Sequence, residues 1–342
     1  MSKRKVYILI LNWNGRQDTI ECLECVFRTD YPDYQVIVCD NGSQDGSIEG
    51  IKEWASGSLG FEVPEESPLR HFQLAPVEKP IACVEYDRAQ AESGGGDLDG
   101  DARLILIRTG TNLGFAGGNN VGLRYALARH DFEYVWLLNN DTVVRPDSLG
   151  KLVERMSEKS DAGMCGGTLL YYHEPGKVQA LGGARYNKWL GSARSLGFLQ
   201  SAGSPVDPSR VERRMDYVSG ACMLVSREFL RDVGLMSEEY FLYFEELDWA
   251  VRGRSRYTLA YAPDCVVYHK EGRATGGNSY RAGDKSRRSD YFSIRNRLAV
   301  TRKFYPYALP TVYLSLLGVA FNRIRRRQWD RLGMIFKPRD AI

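Results

Sequence analysis

The chain has 342 residues, 43% hydrophobic and 26% charged, a globular composition that excludes the disordered and fibrous classes of protein. Its formal net charge of +3 is too small to indicate a class of partner by itself. The seven cysteines are odd in number and lack the density of a disulfide scaffold, so we expect a cytoplasmic protein in a reducing compartment.

The first half of the chain alternates apolar runs of strand length with segments of helical periodicity. The predicted strands are 6–11, 36–39, 104–107 and 134–138, and the predicted helices are 18–27, 48–54 and 119–129. This order predicts a doubly wound α/β domain with a mainly parallel sheet, in which ligands bind beyond the carboxyl ends of the strands. The first apolar run is too short for a signal-peptide core. We interpret residues 56–103, which mix prolines, glycines and acidic residues, as a surface insertion.

Two carboxylates follow apolar strands directly. Asp40 closes the second predicted strand, and Asn139, Asn140 and Asp141 close the fourth. A polar turn is the alternative, since Asn and Asp are common turn residues and Pro146 follows closely. Because buried carboxylates need a partner or a ligand, two such strand ends in one sheet favour a site.

Residues 112–120, "NLGFAGGNN", lie between a predicted strand and a predicted helix. Glycines there allow the backbone to approach a ligand closely, and a helix start offers free N–H groups to an anion such as a diphosphate. The segment is neither a dinucleotide fingerprint nor a P-loop, and a bare glycine-rich turn is the alternative. Residues 40–47, "DNGSQDGS", do not have the ligand spacing of an EF-hand.

A cluster of carboxylates lies in the aromatic segment 240–257. Glu245, Glu246 and Asp248 begin a predicted helix, where acidic residues complement the helix dipole and Asp248 is spaced to pair with Arg252. An aromatic setting also raises a carboxyl pKa toward the range of a general base. His269 closes a further apolar run, although a lone histidine is more often structural than a ligand.

Five motifs in this order resemble those of an inverting glycosyltransferase of family 2, most like its rhamnosyltransferase-type members. They are "ILNWNG", "VCDNGSQDGS", "NLGFAGGNN", "LLNNDTVV", and "FLYFEELDW" with "SGACMLVSREFL" just before it. The resemblance covers roughly residues 5–305 and implies the GT-A fold, with a catalytic domain at 1–270 and a helical, basic extension at 271–342. It further implies a hexosyltransferase that moves a sugar, rhamnose being favoured, from a dTDP- or UDP-sugar to a glycan or lipid-linked acceptor in bacterial cell-surface polysaccharide synthesis.

The resemblance also assigns roles to residues. Glu246 would be the catalytic base, with Glu245 and Asp248 as alternatives, and Mg²⁺ or Mn²⁺ would be held by Asp141 and His269. The nucleotide and donor sugar would be held by Asn12, Asn14, Asp40, Asn112, Gly114, Phe115, Gly117, Gly118, Asn119 and Asn140, and the acceptor cleft would be lined by Ser219, Gly220 and Ala221.

Two positions depart from the family's pattern. Asn139 stands where many members carry a second aspartate of the metal motif, so a single carboxylate would hold the ion weakly. Glu246 stands where the base is most often Asp. The implied reaction is one in-line displacement, in which the base takes the proton of the acceptor hydroxyl and the metal neutralises the leaving diphosphate.

The C-terminal part of the chain is basic. Residues 270–342 contain 17 Lys or Arg against five Asp or Glu, and they include the apolar run 304–321. Pro306 and Pro310 leave about eleven uninterrupted apolar positions, fewer than a spanning helix needs. We predict an interfacial helix on anionic lipid at the inner face of the plasma membrane, which would suit a lipid-linked acceptor. A helix docked on the catalytic domain and a true span are the alternatives, and no nucleic-acid motif accompanies the arginines.

Two rival functions remain. A sugar nucleotidyltransferase would carry a glycine-rich basic loop after its first strand, where this chain has Asn12-Trp13-Asn14-Gly15. A non-catalytic nucleotide-binding scaffold at the membrane predicts nucleotide binding without turnover.

Overall fold

The computed structural model describes residues 4–63, 65–70, 77–96, 102–271 and 286–336. The predicted α/β alternation is present in the first half of the chain. The strands are β1 Val6–Asn12, β2 Tyr34–Asp40, β3 Cys83–Asp87, β4 Leu104–Arg108, β5 Tyr134–Asn139, β6 Thr142–Val144, β7 Ala162–Tyr171, β8 Val178–Leu181, β9 Gly183–Asn187, β10 Ser192–Ser195, β11 Tyr217–Val218, β12 Cys222–Ser226 and β13 Thr258–His269.

The helices flank this framework and continue beyond it. They are α1 Arg16–Val26, α2 Ser47–Ser56, α3 Arg88–Glu92, α4 Gly114–Arg129, α5 Ser148–Glu158, α6 Pro208–Glu212, α7 Arg227–Val233, α8 Glu245–Gly253, α9 Arg287–Phe304, α10 Leu309–Arg325 and α11 Gly333–Phe336.

A mixed sheet of ten strands runs through the molecule in the order β3-β4-β2-β1-β5-β12-β7-β13-β6, with β8 paired to β7. The first five strands are mutually parallel, and β1 and β2 are apolar and buried on both faces because helices cover them. The register places Asn12 beside Asp40 at the carboxyl ends of β1 and β2. A small antiparallel sheet, β10-β9-β11, lies outside this path.

The segment interpreted as an insertion contributes to the sheet, which corrects the prediction of a loop over 56–103. Strand β3 pairs with β4 in parallel from Cys83 beside Leu104 to Asp87 beside Arg108, and Asp87 then caps α3. As an edge strand of five residues, half-buried along most of its length, β3 lacks the continuous apolar run that marks the central strands. Residues 64, 71–76 and 97–101 of the segment lie outside the described part of the chain.

Helix α4 begins at Gly114, five residues before the predicted start at Asn119. The glycines of "NLGFAGGNN" therefore lie in the first turns of the helix rather than in a loop before it. Gly118 faces the end of β1, where an added Cβ would lie 2.4 Å from Leu11 Cδ1. Close packing of α4 on the sheet explains the small residue at this position.

The C-terminal helices dock in two layers. Val300 of α9 packs in a buried cluster with Tyr240 and with Leu247 of α8. Helix α10 buries Val312, Leu316 and Ala320 against α9 and turns its other face outward. Pro310 lies in the first turn of α10, where no backbone N–H is needed. Since α9 ends at Phe304 and α10 begins at Leu309, the apolar run 304–321 is divided at its prolines, as predicted. Within the described residues, no helix is both long enough and apolar enough to cross a bilayer.

Candidate functional site

Asn12 connects the ends of three neighbouring strands. Its Nδ2 donates to Asp40 Oδ1 at 2.8 Å, and its Oδ1 accepts from Asn140 Nδ2 at 3.2 Å and from Thr19 Oγ1 at 2.9 Å. Asn12 is fully buried, so its carboxamide organises this edge rather than facing a ligand. Asn140, also predicted to bind the donor, is tied to the same network through Thr19.

An open cleft of about 370 Å³ lies in front of this edge and is lined in part by Trp13, Asn14, Asn140 and Asp141. Asn14 is exposed and adopts φ +50° because its backbone turns around Ser43, whose Oγ accepts the Asn14 N–H at 2.8 Å. Among the predicted nucleotide-binding residues, Asn14 is thus the one exposed residue, and its Oδ1 accepts the Gln44 N–H at 2.7 Å.

Asp141 and His269 meet at the same edge of the sheet, where Asp141 also lines the cleft. Their side chains approach to 3.0 Å between Asp141 Oδ1 and His269 Nε2, and the Lys270 N–H donates to the Asp141 carbonyl at 3.0 Å. Burial disfavours the charged form of both groups, but each stabilises the other's charge. The pKa of Asp141 is therefore lowered and the pKa of His269 is raised.

The orientation of His269 is compatible with a divalent cation. Its Nδ1 lies 2.8 Å from Gln179 Oε1, and Gln179 Nε2 donates to Glu271, so Nδ1 carries the proton. In the neutral ring the Nε2 lone pair then faces the Asp141 carboxylate, and two electron pairs at 3.0 Å need a cation or a proton between them. Imidazole and carboxylate suit Mn²⁺, and a second-nitrogen hydrogen bond is typical of ligating histidines. No group of three His, Cys, Asp or Glu suited to a metal occurs in the described ranges, so other ligands would come from donor and water.

Sequence reasoning missed Asn41, which organises residues 112–120, the segment predicted to hold the donor and called the donor segment below. Its Oδ1 accepts the Leu113 N–H at 2.9 Å, and its Nδ2 donates to the Gly114 carbonyl at 3.1 Å and to Asn112 Oδ1 at 3.2 Å. Asn41 directly follows Asp40, so its place after a strand-ending carboxylate was an available signal.

The start of α4 is less open than predicted. The Gly114 N–H donates to Asn112 Oδ1 at 2.9 Å, and the Phe115 N–H donates to the Phe241 carbonyl at 2.7 Å. Gly117, Gly118 and Asn119 are buried within the helix, and Asn119 Nδ2 donates to the Phe115 carbonyl. Among the predicted donor-binding residues of this segment, Asn112 and Phe115 are thus the partly exposed ones, and the predicted role of the segment in binding the diphosphate stays a prediction.

Glu246, Gly220 and Phe115 meet at one point. The Gly220 N–H donates to Glu246 Oε1 at 3.3 Å, and an added Cβ at Gly220 would lie 2.8 Å from that oxygen and 2.8 Å from the Phe115 ring. A larger residue at position 220 would therefore displace the Glu246 carboxylate or the Phe115 ring. Ser219 and Ala221 bond through their backbones to Gly182 and Asn139, which fixes the predicted acceptor segment between β11 and β12.

Glu245 and Glu246 form a coupled pair with different exposure. Glu245 is buried, and its Oε2 has no hydrogen-bond partner within the described chain, whereas Glu246 is partly exposed. Burial raises the pKa of Glu245 well above its ordinary value, and the neighbouring charge of Glu246 raises it further. Burial also raises the pKa of Glu246. The pair therefore favours a neutral Glu245 behind an accessible Glu246 of enhanced basicity.

Asp248 is engaged elsewhere, which argues against its predicted role as an alternative base. Its fully buried carboxylate accepts from Arg252 Nε at 2.7 Å, Lys303 Nζ at 2.6 Å and the Tyr240 hydroxyl at 2.9 Å. With three donors on two oxygens and no exposed surface, Asp248 cannot reach an acceptor hydroxyl.

Two further residues of this region were missed by sequence reasoning and carried no usable signal. Gln179 on β8 orients His269, and Asn296 on α9 donates to backbone carbonyls just before α8. The carbonyls bonded by Asn296 and the ring bonded by Gln179 are 53 to 90 residues away, so the importance of both residues depends on tertiary packing.

Comparison with known proteins connects this arrangement to an enzyme family. Residues 7–66 and 89–234 match the profile described as "Glycosyl transferase family 2". Over 243 residues, the chain is 26% identical to the low-salt glycan biosynthesis hexosyltransferase Agl10 of Haloferax volcanii, covering 69% of this chain and 71% of the relative. Over 260 residues, it is 26% identical to the N-acetylglucosaminyl-diphospho-decaprenol L-rhamnosyltransferase of Mycobacterium tuberculosis, covering 67% and 79%.

A solved structure shares the fold. The mannosyltransferase PcManGT from Pyrobaculum calidifontis, solved with GDP-Man and Mn²⁺, superimposes with a TM-score of 0.51 at 15% sequence identity. The match covers 94% of this chain and 76% of that chain. The predicted GT-A architecture is confirmed by this likeness.

Proposed function

The chain belongs to glycosyltransferase family 2, and from this premise we propose that it transfers a hexose, rhamnose being favoured, from a dTDP- or UDP-sugar to a lipid-linked glycan acceptor. The position of Glu246, bonded to the Gly220 N–H with the Phe115 ring near the same glycine, carries the proposal. It presents a carboxylate of raised pKa beside the segments that resemble the donor and acceptor sites. The product would enter cell-surface polysaccharide synthesis.

In the proposed reaction, Glu246 accepts the proton of the acceptor hydroxyl. The freed oxygen attacks the anomeric carbon from the face opposite the nucleoside diphosphate, the bond to the diphosphate oxygen breaks, and the configuration inverts. Buried Glu245 keeps the environment of Glu246 poorly solvated, which strengthens the base. Phe115 and Gly220 restrict the position of the donor sugar beside it.

Asp141 and His269 are the proposed ligands of Mg²⁺ or Mn²⁺. A bound divalent cation neutralises charge on the leaving diphosphate. On the protein side, Gln179 fixes the ring of His269, and the Lys270 N–H holds the Asp141 backbone against the end of β13. Asn12 and Asp40 shape the edge on which the nucleoside would rest, with Asn14 above it.

The acceptor is proposed from chemistry and from one relative. The name of the mycobacterial relative includes a diphospho-decaprenol group, which is a lipid carrier. An enzyme with such an acceptor works at a membrane surface, and the exposed face of α10 offers one apolar surface: Leu314 and Phe321 are 65% and 66% exposed. Residues 323–327 add four arginines next to it. We propose that this face contacts anionic lipid at the inner face of the plasma membrane.

Membrane contact is testable by flotation with neutral and with anionic vesicles. The protein is expected to float with vesicles that contain phosphatidylglycerol, and Phe321→Ser should abolish flotation because it removes a large exposed apolar side chain. Leu199→Ser, a change at an exposed leucine outside α10, is the matched control. Equal flotation of wild type and Phe321→Ser would contradict contact through this face.

The transfer reaction is tested with a panel of UDP-, dTDP- and GDP-hexoses and a lipid-linked acceptor in the presence of Mn²⁺. Formation of an inverted glycoside by wild type and its loss in Glu246→Gln, with nucleotide binding retained, would support the proposal. Nucleotide binding that is unaffected by Glu246→Gln, without turnover of any donor, would favour a non-catalytic scaffold instead.

A further inference from the structure

The backbone immediately before α8 is held in an unusual conformation. Phe241, Tyr243 and Phe244 have φ values of 61°, 70° and 77°, and Phe244 is the N-cap of the helix that begins with Glu245. Side chains of this size rarely adopt positive φ, because the Cβ crowds the backbone. The segment 241–244, called the strained segment below, therefore needs external contacts that over-determine its shape.

A single side chain from the C-terminal helix α9 supplies these contacts. Asn296 Nδ2 donates to the carbonyl oxygens of Tyr240 at 2.6 Å, Leu242 at 2.8 Å and Tyr243 at 3.1 Å. Asn296 is fully buried, and its Oδ1 accepts from an Arg295 guanidinium nitrogen at 2.7 Å. That nitrogen also donates to the Glu239 carbonyl at 2.8 Å, so α9 holds the backbone from residue 239 to residue 243.

Ring packing on the same helix supports the start of the strained segment. The Phe241 ring stacks on Phe292 with centroids 4.8 Å apart and an interplanar angle of 14°. The guanidinium of Arg288 lies 4.6 Å from the centre of the Phe241 ring. Polar and aromatic contacts from one helix thus act on one short stretch of chain.

The strained segment also touches the donor segment. The Phe241 carbonyl accepts the Phe115 N–H at 2.7 Å, and an added Cβ at Gly114 would lie 2.3 Å from that carbonyl oxygen. Phe115 in turn contacts Gly220 opposite Glu246. The strained segment is therefore covalently joined to Glu245 and Glu246 and hydrogen-bonded to the residue across from them.

We propose that Asn296 is a positioning residue that sets the place of Glu246 relative to Phe115, by holding the backbone carbonyls of Tyr240, Leu242 and Tyr243. The role of Glu246 as base rests on the proposed function, whereas the effect of Asn296 on its position does not. The C-terminal extension is on this view part of the catalytic unit and not only a membrane-facing addition.

The test compares Asn296→Asp with Leu298→Ala. The aspartate is nearly isosteric but replaces the donor NH₂ by an oxygen that repels three carbonyls. Leu298 is buried on the same helix and makes none of these bonds, so Leu298→Ala controls for general loosening of α9. If Asn296→Asp does not fold, Arg295→Ala replaces it, because that change removes the support of Asn296 Oδ1 and of the Glu239 carbonyl.

Two readouts need no substrate. Hydrogen exchange measured by mass spectrometry should become about tenfold faster or more for amides 242–249 in Asn296→Asp, but not in Leu298→Ala. Infrared titration of the Glu246 carboxyl, assigned against Glu246→Gln, should show a lower pKa in Asn296→Asp because the group becomes hydrated. The titratable groups that interact with Glu246, namely Glu245 and Tyr217, are unchanged in Asn296→Asp and Leu298→Ala, so they contribute equally to both titrations.

Turnover provides the third readout. With the donor found to be active, kcat of Asn296→Asp should fall by about a hundredfold, as expected for a base displaced by roughly 1 Å, while the Kd of the nucleoside diphosphate is unchanged. Unchanged exchange and unchanged Glu246 titration in a folded variant would overturn the proposal. Faster exchange and a shifted Glu246 titration with normal kcat would support the positioning and contradict the role of Glu246 as base. Wild type could also turn over no donor while amides 242–249 lose protection from hydrogen exchange in Asn296→Asp. That result would contradict the proposed function and support the positioning role of Asn296.

Discussion

Lys303, near the end of α9, donates a 2.6 Å hydrogen bond to Asp248, a fully buried carboxylate of α8. Burial lowers the pKa of Lys303, but the charge of Asp248 outweighs it and the net pKa is raised. This ion pair joins the C-terminal extension to the helix that carries Glu246.

Asp248→Ala should therefore lower the free energy of unfolding by about 3 kcal/mol, because it leaves Arg252 and Lys303 without their buried partner. Urea denaturation measures the change. Lys151→Met, which breaks an exposed pair with Glu154, is the control and should stay within about 0.5 kcal/mol of wild type. Normal stability with lost turnover in Asp248→Ala would instead indicate a direct catalytic role.

Glu246→Gln should lower kcat by about 10²- to 10⁴-fold, since the amide keeps the contact with Gly220 but cannot accept a proton. Glu246→Asp should retain partial activity because a carboxylate remains. Steady-state kinetics measure both, and calorimetry with UDP and dTDP checks that the nucleotide site is intact. Equal losses in the two variants would contradict proton transfer by this residue.

The raised pKa of Glu245 predicts a pH-dependent contribution to stability. A carboxyl whose pKa is higher in the folded than in the unfolded chain stabilises the fold fully below its ordinary value of 4.5 and loses that contribution as pH rises through the folded value. Glu245→Gln should remove this fall. Urea denaturation of both proteins from pH 4 upward gives their free energies of unfolding, and the difference between the two isolates the contribution of Glu245. Parallel curves of unfolding free energy against pH would refute the assignment of a neutral Glu245.

Gln179→Ala should weaken Mn²⁺-dependent nucleotide binding by about tenfold or more, because His269 loses the acceptor that fixes its ring. Asp141→Asn should remove the metal dependence altogether. Calorimetry with UDP or dTDP, in Mn²⁺ and in EDTA, gives both results. Gln200→Ala, an exposed change, is the control. Metal dependence that survives in Asp141→Asn would place the ion elsewhere.

The sequence predicted the strand ends well for a physical reason. An apolar run buried on both faces must end where polar groups begin, so Asp40 and Asp141 mark the carboxyl edge without knowledge of the fold. Asp248 was ambiguous for the opposite reason. The sequence shows the spacing of Asp248 from Arg252, but it cannot show that Lys303, 55 residues later, also donates a hydrogen bond to this carboxylate.

The donor segment shows where pattern reasoning fails. Glycines between a strand and a helix are compatible both with ligand approach and with close helix packing, and the pattern does not distinguish these. The neighbours of Gly118 indicate close packing: they are Leu11 in β1 and Asn41 just after β2, and both are distant in sequence. The roles of Asn296 and Gln179 could not be predicted from the sequence. The carbonyls and the ring that these buried amides bond are brought to them only by the tertiary structure.

The Asn12 carboxamide, bonded to Asp40 on one side and to Asn140 on the other, restrains the floor of the cleft that we propose for the nucleotide before any ligand arrives. A rigid floor loses little conformational entropy on binding, so affinity for the nucleoside gains from preorganisation. In the proposed site, discrimination between nucleobases would depend on the rim of the cleft, where Trp13 and Asn14 lie. Evolution of a new donor preference would accordingly proceed through substitutions at this rim, while the floor below it stays the same.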